Sequence, residues 1–180
     1  MQQDQQIIDF WFQELTPKSW WVKDSALDEE IRLRFGDIHR SAAQCELYSW
    51  RLTAQGRLAE IIILDQFSRN IFRDNAQAWA CDPLALALAQ EAVAIGADQE
   101  LPPAQRTFIY MPYMHSESLV VHRQAMELFS NNKGENNIEH ERKHKEIIDR
   151  FGRYPHRNEI LGRKSTEEEL EFLQSPGSSF

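Results

Sequence analysis

The sequence predicts an all-α protein, a single domain of about eight or nine helices stacked as antiparallel pairs. Apolar residues recur at helical spacing, whereas the alternation that is typical of strands is nearly absent. Proline, glycine, aspartate and asparagine divide the chain into segments of about ten to fifteen residues, a usual helix length. The 180 residues, of which 42% are hydrophobic, suffice for one sizeable core.

The first half of the chain contains three segments with helical character. We expect a helix over residues 5–14, ended by Pro17, and a second over residues 27–47, where Gly36 is a candidate break. Residues 57–67 are apolar on nearly every side at their centre. This pattern predicts a buried helix in the middle of the fold.

The second half has clearer boundaries. Asp82 supplies an N-cap, Pro83 a first helical residue and Gly96 a stop, which predicts a helix over residues 84–95. A capping box of Ser165 and Glu168 begins the last helix, which ends near Leu173. Three more helices are predicted. The first follows Pro102-Pro103 and ends near Pro112, and the other two cover residues 116–129 and 138–151. We expect a loop with disorder at residues 130–137, a domain over residues 1–174 and a frayed tail at residues 175–180.

Composition excludes several classes of protein. The formal net charge of -8 argues against a nucleic-acid or anionic-membrane binder, because both need a basic surface. No apolar run approaches the roughly 20 residues that span a bilayer, and the N-terminus lacks a signal peptide. Cys45 and Cys81 form no CxxC motif and are interpreted as two buried reduced thiols. We therefore expect a cytoplasmic protein.

The most informative feature is a pair of similar cassettes, DQFSRNIFR at residues 65–73 and RFGRYPHRNEILGR at residues 150–163. Both centre on Arg-Asn followed by apolar residues and another arginine. The first follows a buried helix, so its charges lie in or beside the core and need partners or a function. Since Arg69 and Arg157 are 88 positions apart, the cassettes are no repeat unit, and we expect them to converge on one site.

Two interpretations of these charges remain open. Asp65 and Arg69, one helical turn apart, form either a structural ion pair or part of a site. A site needs surplus guanidinium groups that bind carboxylate or phosphate at two points, and Arg73, Arg153 and Arg157 are candidates. Alternatively, Arg153 caps the preceding helix, together with Arg150.

A third element, His115-Ser116-Glu117, follows Pro112 and offers a base, a hydroxyl and an acid within one turn. A serine hydrolase is disfavoured, because neighbours on one turn rarely reach the geometry of a triad and no GxSxG motif exists. The structural alternative makes Ser116 an N-cap. If His115 instead faces the arginines, it can act as a general acid or base near neutral pH.

The fourth element, His140-Glu141-Arg142-Lys143-His144, is a literal HExxH motif on a predicted helix. In zinc peptidases the two histidines bind metal and the glutamate activates water. Here two cations occupy the interior of the motif, and no third ligand follows. We therefore favour coincidence over a zinc hydrolase and predict no metal or other cofactor, although the spacing turns both histidines toward the packed side of the helix.

Nearly the whole chain, about residues 7–173, resembles the bacterial DUF924 family. The resemblance is carried by IDFWF at residues 8–12, by the LDQFSRNIFR and RFGRYPHRNEILGR stretches, by DPLA at residues 82–85 and by His115-Ser116-Glu117. It implies an all-helical, tetratricopeptide-like fold and an uncharacterised activity. It also implies that His144 belongs to the family pattern and His140 does not.

Two functional hypotheses follow, and neither requires a particular oligomeric state. The first is a pocket for a small anionic ligand of phosphate or carboxylate type, with catalysis possible. The second is a non-catalytic, tetratricopeptide-like module that presents a groove to a protein or peptide. For the pocket, the candidate catalytic residues are His115, Glu117 and His144, and the candidate ligand-binding residues are Asp65, Arg69, Asn70, Arg73, Arg153, His156, Arg157 and Asn158.

Overall fold

The computed structural model describes residues 2–133 and 137–179. This part of the chain forms eight helices and contains no strands. The all-α class is thereby confirmed, and the helix count falls within the predicted range. The predicted loop at residues 130–137 lies partly outside the described residues, at positions 134–136. No helix of the described part has the length and apolar character needed to cross a bilayer.

The first two helices pack against the centre of the fold. Helix α1, Gln3–Asp9, continues through a wider turn, Phe10–Glu14. Helix α2, Ser25–Ala43, begins where the Asp24 side chain accepts hydrogen bonds from the backbone amides of Ala26 and Leu27. Gly36 lies inside α2 without breaking it, contrary to the sequence prediction, because the cost of about 1 kcal/mol for an interior glycine is offset by buried neighbours on the same helix.

The central helix, α3, runs as Ala54–Ile62, a wider turn at Ile63–Phe67 and a final turn at Ser68–Ile71. Residues 58–68 are all buried, which confirms the predicted central helix. The first Arg-Asn cassette therefore begins inside the core and emerges at the end of α3.

Helices α4, Asp82–Ala94, and α5, Pro103–Met114, follow. Two details differ from the sequence prediction. Cys81 is the N-cap of α4, and Asp82 is its first helical residue, so the Asp82 carboxylate is available for other contacts. Pro112 lies inside α5 rather than ending it, because the surrounding residues of α5 are buried and hold the last turn in place.

The last three helices are α6, Leu119–Asn131, α7, Ile138–Phe151, and α8, Glu167–Leu173. Residues 115–118 form the connection between α5 and α6 rather than the start of a helix. The capping box of α8 uses Thr166 and Glu169, one position later than predicted.

The core lies between α1, α3 and α5 and contains a set of aromatic rings in edge or tilted contact. A smaller cluster, Ile147, Ile148 and Tyr154, joins α7 to the second cassette. The cysteines are free, with Cys45 exposed and Cys81 half-buried, so the prediction of two buried thiols is wrong for Cys45. Cys45 follows the end of α2, where the chain turns at the surface.

Candidate functional site

The two Arg-Asn cassettes meet at Asp82, the first residue of α4. Arg69, in the last turn of α3, donates from Nη1 and Nη2 to the two carboxylate oxygens at 2.8 and 3.0 Å. Arg157 lies in the short turn Pro155–Arg157 and donates from Nη1 to Asp82 Oδ2 at 3.4 Å. One carboxylate thus links two arginines that are 88 positions apart in the sequence.

Arg157 is a buried cation held by aromatic rings. Its Cζ atom lies 4.7 Å from the centre of the Tyr154 ring and 5.3 Å from the centre of the Trp79 ring. Nη2 donates to the carbonyl oxygen of His115 at 3.1 Å, and Nε has no hydrogen-bond partner among the described residues. Burial and the nearby Arg69 lower the pKa of Arg157, which identifies it as a weakly compensated positive charge.

Asp65 and His115 form a buried dyad beside this cation. His115 Nδ1 lies 2.6 Å from Asp65 Oδ1, and Gln66 donates to the other carboxylate oxygen. Burial alone would raise the pKa of Asp65, but His115 and Arg69 together hold it below its usual range. Burial and Arg69 lower the pKa of His115. At neutral pH the dyad is therefore a carboxylate and a neutral imidazole that donates from Nδ1 and keeps a lone pair on Nε2.

A cleft of about 440 Å³ is lined by Asp82, His115 and Arg157, whereas Asp65 and Arg69 lie behind its wall and are absent from its lining. Its walls come from the short helical turn Ala76–Trp79, the start of α4, the end of α5 and the second cassette. This volume lies in the range of small-molecule sites. The lining residues are Ala76, Trp79, Ala80, Asp82, Pro83, Leu86, Pro112, His115, Ser116, Glu117, Arg157 and Leu161.

Glu117 lines the cleft and also fixes the second cassette. Arg163 donates to its two oxygens at 2.7 and 2.9 Å, and the Tyr154 amide donates to Oε1 at 2.8 Å. Burial opposes ionisation, but these donors outweigh it and lower the pKa of Glu117. Glu117 is thus an ionised side chain that positions the loop carrying Arg157.

The connection after α5 is held by side chains from two elements. The carbonyl oxygens of residues 114–116 each accept one hydrogen bond, from Tyr154 Oη at 2.5 Å, Arg157 Nη2 at 3.1 Å and His122 Nε2 at 2.8 Å. Carbonyls at a helix end otherwise lack partners. These bonds fix the backbone that carries the His115 ring.

Three other predicted ligand-binding residues lie in ion-pair networks away from the cleft. Asn70 and Arg73 both donate to Asp28 on α2, at 2.8 and 2.6 Å. Arg153 binds both oxygens of Glu169, at 2.6 and 2.8 Å. These side chains connect the cassettes to neighbouring helices and do not line the cleft.

Three more predicted site residues, Asn158, His144 and His156, also lie outside the cleft lining. Asn158 donates to Ser165 Oγ at 3.0 Å and accepts from Arg163 Nε at 2.9 Å. Burial lowers the pKa of His144 to about 3 and that of His156 to about 4. Both rings lie against Tyr154 and belong to its packing.

The HExxH motif does not assemble a metal site. His140 is exposed, contrary to the prediction that it faces the packed side, and the His144 ring hydrogen-bonds the His140 backbone oxygen at 2.7 Å. Glu141 is buried against His122, with Oε1 and Nδ1 2.7 Å apart. Across residues 2–133 and 137–179, no three His, Cys, Asp or Glu side chains are grouped as metal ligands.

Two cleft residues that contact Arg157, namely Asp82 and Trp79, were not predicted as site residues from the sequence. Asp82 was interpreted as an N-cap because it precedes a proline, and that role hid its contacts with the arginines. Trp79, which stacks on Arg157, carries no local signal beyond being a tryptophan. Only the fold brings these residues to the second cassette.

Comparison with curated proteins gave no match. Among solved structures, the protein of unknown function ATU0120 from Agrobacterium tumefaciens is 40% identical and superposes with a TM-score of 0.90, covering 95% of this chain and 96% of that one. The family described as "Bacterial protein of unknown function (DUF924)" matches residues 7–177. The chain therefore belongs to the DUF924 family.

Proposed function

We propose that the cleft binds a small molecule with an anionic head group, and that Arg157 is the cation that holds it. Arg157 lines the cleft, and the contact of its guanidinium with Asp82 is long at 3.4 Å. Its two terminal nitrogens together carry four N–H groups, and the hydrogen bonds to Asp82 and His115 use one on each. Two donors are therefore left for a carboxylate or phosphate.

His115 supplies acid–base chemistry at the same place. Asp65 fixes the Nδ1–H tautomer, so Nε2 is the atom that can accept a proton from a bound molecule. A histidine oriented by a buried carboxylate is the general-base arrangement of many hydrolases and transferases. We infer that a ligand held by Arg157 presents an acidic or nucleophilic group to His115.

The observation that carries the proposal is the direct link between the two groups. Arg157 Nη2 donates to the backbone oxygen of His115, so the head-group cation and the base occupy fixed positions in one cleft. The remaining walls are mainly apolar, which suits the body of a small organic molecule.

Thermal unfolding in the presence of small carboxylates and phosphates tests the proposal. At a concentration of 100 Kd, a ligand of the folded state stabilises it by about 2.7 kcal/mol, which raises the melting temperature by roughly 5–10 °C. This shift should disappear in Arg157→Gln and persist in Arg73→Gln, which removes an arginine paired outside the cleft. Leu161→Trp, which narrows the cleft without touching a buried charge, should also abolish it.

The experiment also addresses the alternative of a protein or peptide interaction module. Such a module predicts a stoichiometric partner in affinity capture that is lost in Leu161→Trp and retained in Arg157→Gln. That result, together with no thermal response to any anion, would replace the ligand proposal with the interaction module.

A further inference from the structure

The charged side chains of the cleft wall are unequally compensated. Of the three that line it among the described residues, Asp82 and Glu117 are acids and Arg157 is a cation. Arg69 binds both oxygens of Asp82, and Arg163 binds both oxygens of Glu117. Each acid therefore already has a guanidinium partner with two-point geometry, and Arg69 in addition lies 3.3 Å from Asp65.

Arg157 has no equivalent partner. It reaches Asp82 Oδ2 at 3.4 Å, and that oxygen already accepts from Arg69 at 3.0 Å. The other hydrogen bond of Arg157 goes to the uncharged carbonyl of His115. Only 5% of Arg157 is exposed, so few water molecules can compensate its charge.

The rest of the cleft favours an apolar body on the ligand. Seven of the twelve lining residues are apolar or aromatic. Of these, Trp79 stacks on the Arg157 guanidinium, and Leu161 belongs to the same cassette as Arg157. A volume of about 440 Å³ accommodates a single ring or a short alkyl chain beside the head group.

We propose, as a consequence that rests on the ligand-binding function above, that the cleft selects monoanionic carboxylates with an apolar body over phosphate dianions. A planar carboxylate matches the unused donors of a guanidinium at two points and brings only one negative charge. A second negative charge would face Asp82 and Glu117 across a partly dehydrated cleft, where like charges repel more strongly than in water.

Matched ligand pairs test this selectivity by calorimetric titration at pH 8, where phosphate monoesters are dianions. Suitable pairs are benzoate with phenyl phosphate and hexanoate with pentyl phosphate, and benzamide is the uncharged control. We expect at least one carboxylate to bind at least about tenfold more tightly than its phosphate partner, a difference of about 1.4 kcal/mol. Benzamide should bind more weakly than benzoate.

Each other outcome overturns a distinct claim. Phosphates that bind as tightly as the carboxylates refute the selectivity and leave the anion site intact. No binding by any anion, or benzamide binding as tightly as benzoate, refutes the anion-binding function itself.

Variants test the cause of the selectivity. Asp82→Asn should reduce the difference in affinity between a carboxylate and its phosphate partner to about threefold or less, because it removes one of the two repelling charges. Glu117→Gln provides the same test if Asp82→Asn does not fold. Asp28→Asn removes a comparable carboxylate outside the cleft and should leave this difference unchanged. An unchanged difference in the cleft variants would refute the charge argument.

Discussion

The Asp65→Asn substitution is the most direct test of the buried charge network. It keeps the shape of the side chain and removes the charge that interacts with His115 at 2.6 Å and Arg69 at 3.3 Å. Loss of one partner from a buried ion pair costs about 3–5 kcal/mol. Because Arg69 retains both bonds to Asp82, we expect the lower end, about 3 kcal/mol.

Urea denaturation measures this loss. With a slope of about 2 kcal/mol per molar urea, a loss of 3 kcal/mol lowers the midpoint by about 1.5 M. Since domains are usually stable by about 5–15 kcal/mol, the variant should still fold. A second readout is the pKa of the His115 ring by NMR, which should fall further, because Asp65 raises it in the wild type.

Asp28→Asn is the matched control. Asp28 binds Arg73 through both oxygens, but this pair is more exposed, and we expect a loss of about 1 kcal/mol with no change in the His115 titration. Equal losses in the two variants, together with an unaltered His115 titration in Asp65→Asn, would show that the dyad and its charges have no special role.

Two further predictions concern stability. Burial holds the pKa of His144 at about 3 and that of His156 at about 4, below the ordinary 6.5, so the unfolded chain binds protons that the folded chain does not. The free energy of unfolding should therefore fall by about 1.4 kcal/mol per histidine from pH 7.5 to 5.5, and equal urea midpoints at the two pH values would contradict this. Gly36→Ala should increase the free energy of unfolding by about 1 kcal/mol and so raise the melting temperature, because the new methyl group meets open space inside a helix. Gly56→Ala should decrease the free energy of unfolding by about 1–3 kcal/mol or more, because the methyl group would collide with the Trp50 carbonyl. Melting temperatures that shift in the same direction in both variants would refute the comparison.

The sequence predicted the helices well because their signals are local. The spacing of apolar residues located the buried helix at residues 57–67, and proline and glycine at its ends located the helix that begins beside Pro83. The errors arose where packing overrides local preference. Gly36 and Pro112 are unfavourable inside a helix, yet each is surrounded by helical neighbours whose buried side chains fix the backbone.

Prediction of the site was harder because ion pairing is a property of the fold. Helical spacing identified Asp65 as a partner of Arg69, and the two lie 3.3 Å apart. Asp82, which meets both Arg69 and Arg157, comes from a distant position that no local pattern indicates. Arg73 and Arg153 look equivalent to Arg157 in sequence, and only the fold places Asp28 beside one and Glu169 beside the other.

The same distinction explains why two similar cassettes have different roles. In the first, Arg69 binds Asp82 through both oxygens and also pairs with Asp65, while Asn70 contacts α2. In the second, Arg157 meets Asp82 only at Oδ2, the oxygen that already accepts from Arg69, and this contact is long at 3.4 Å. Asp82 cannot satisfy two guanidinium groups with bidentate geometry at once, so Arg157 keeps donors for another anion. The unused donors of Arg157 therefore arise from a shared carboxylate, which neither cassette alone could have revealed.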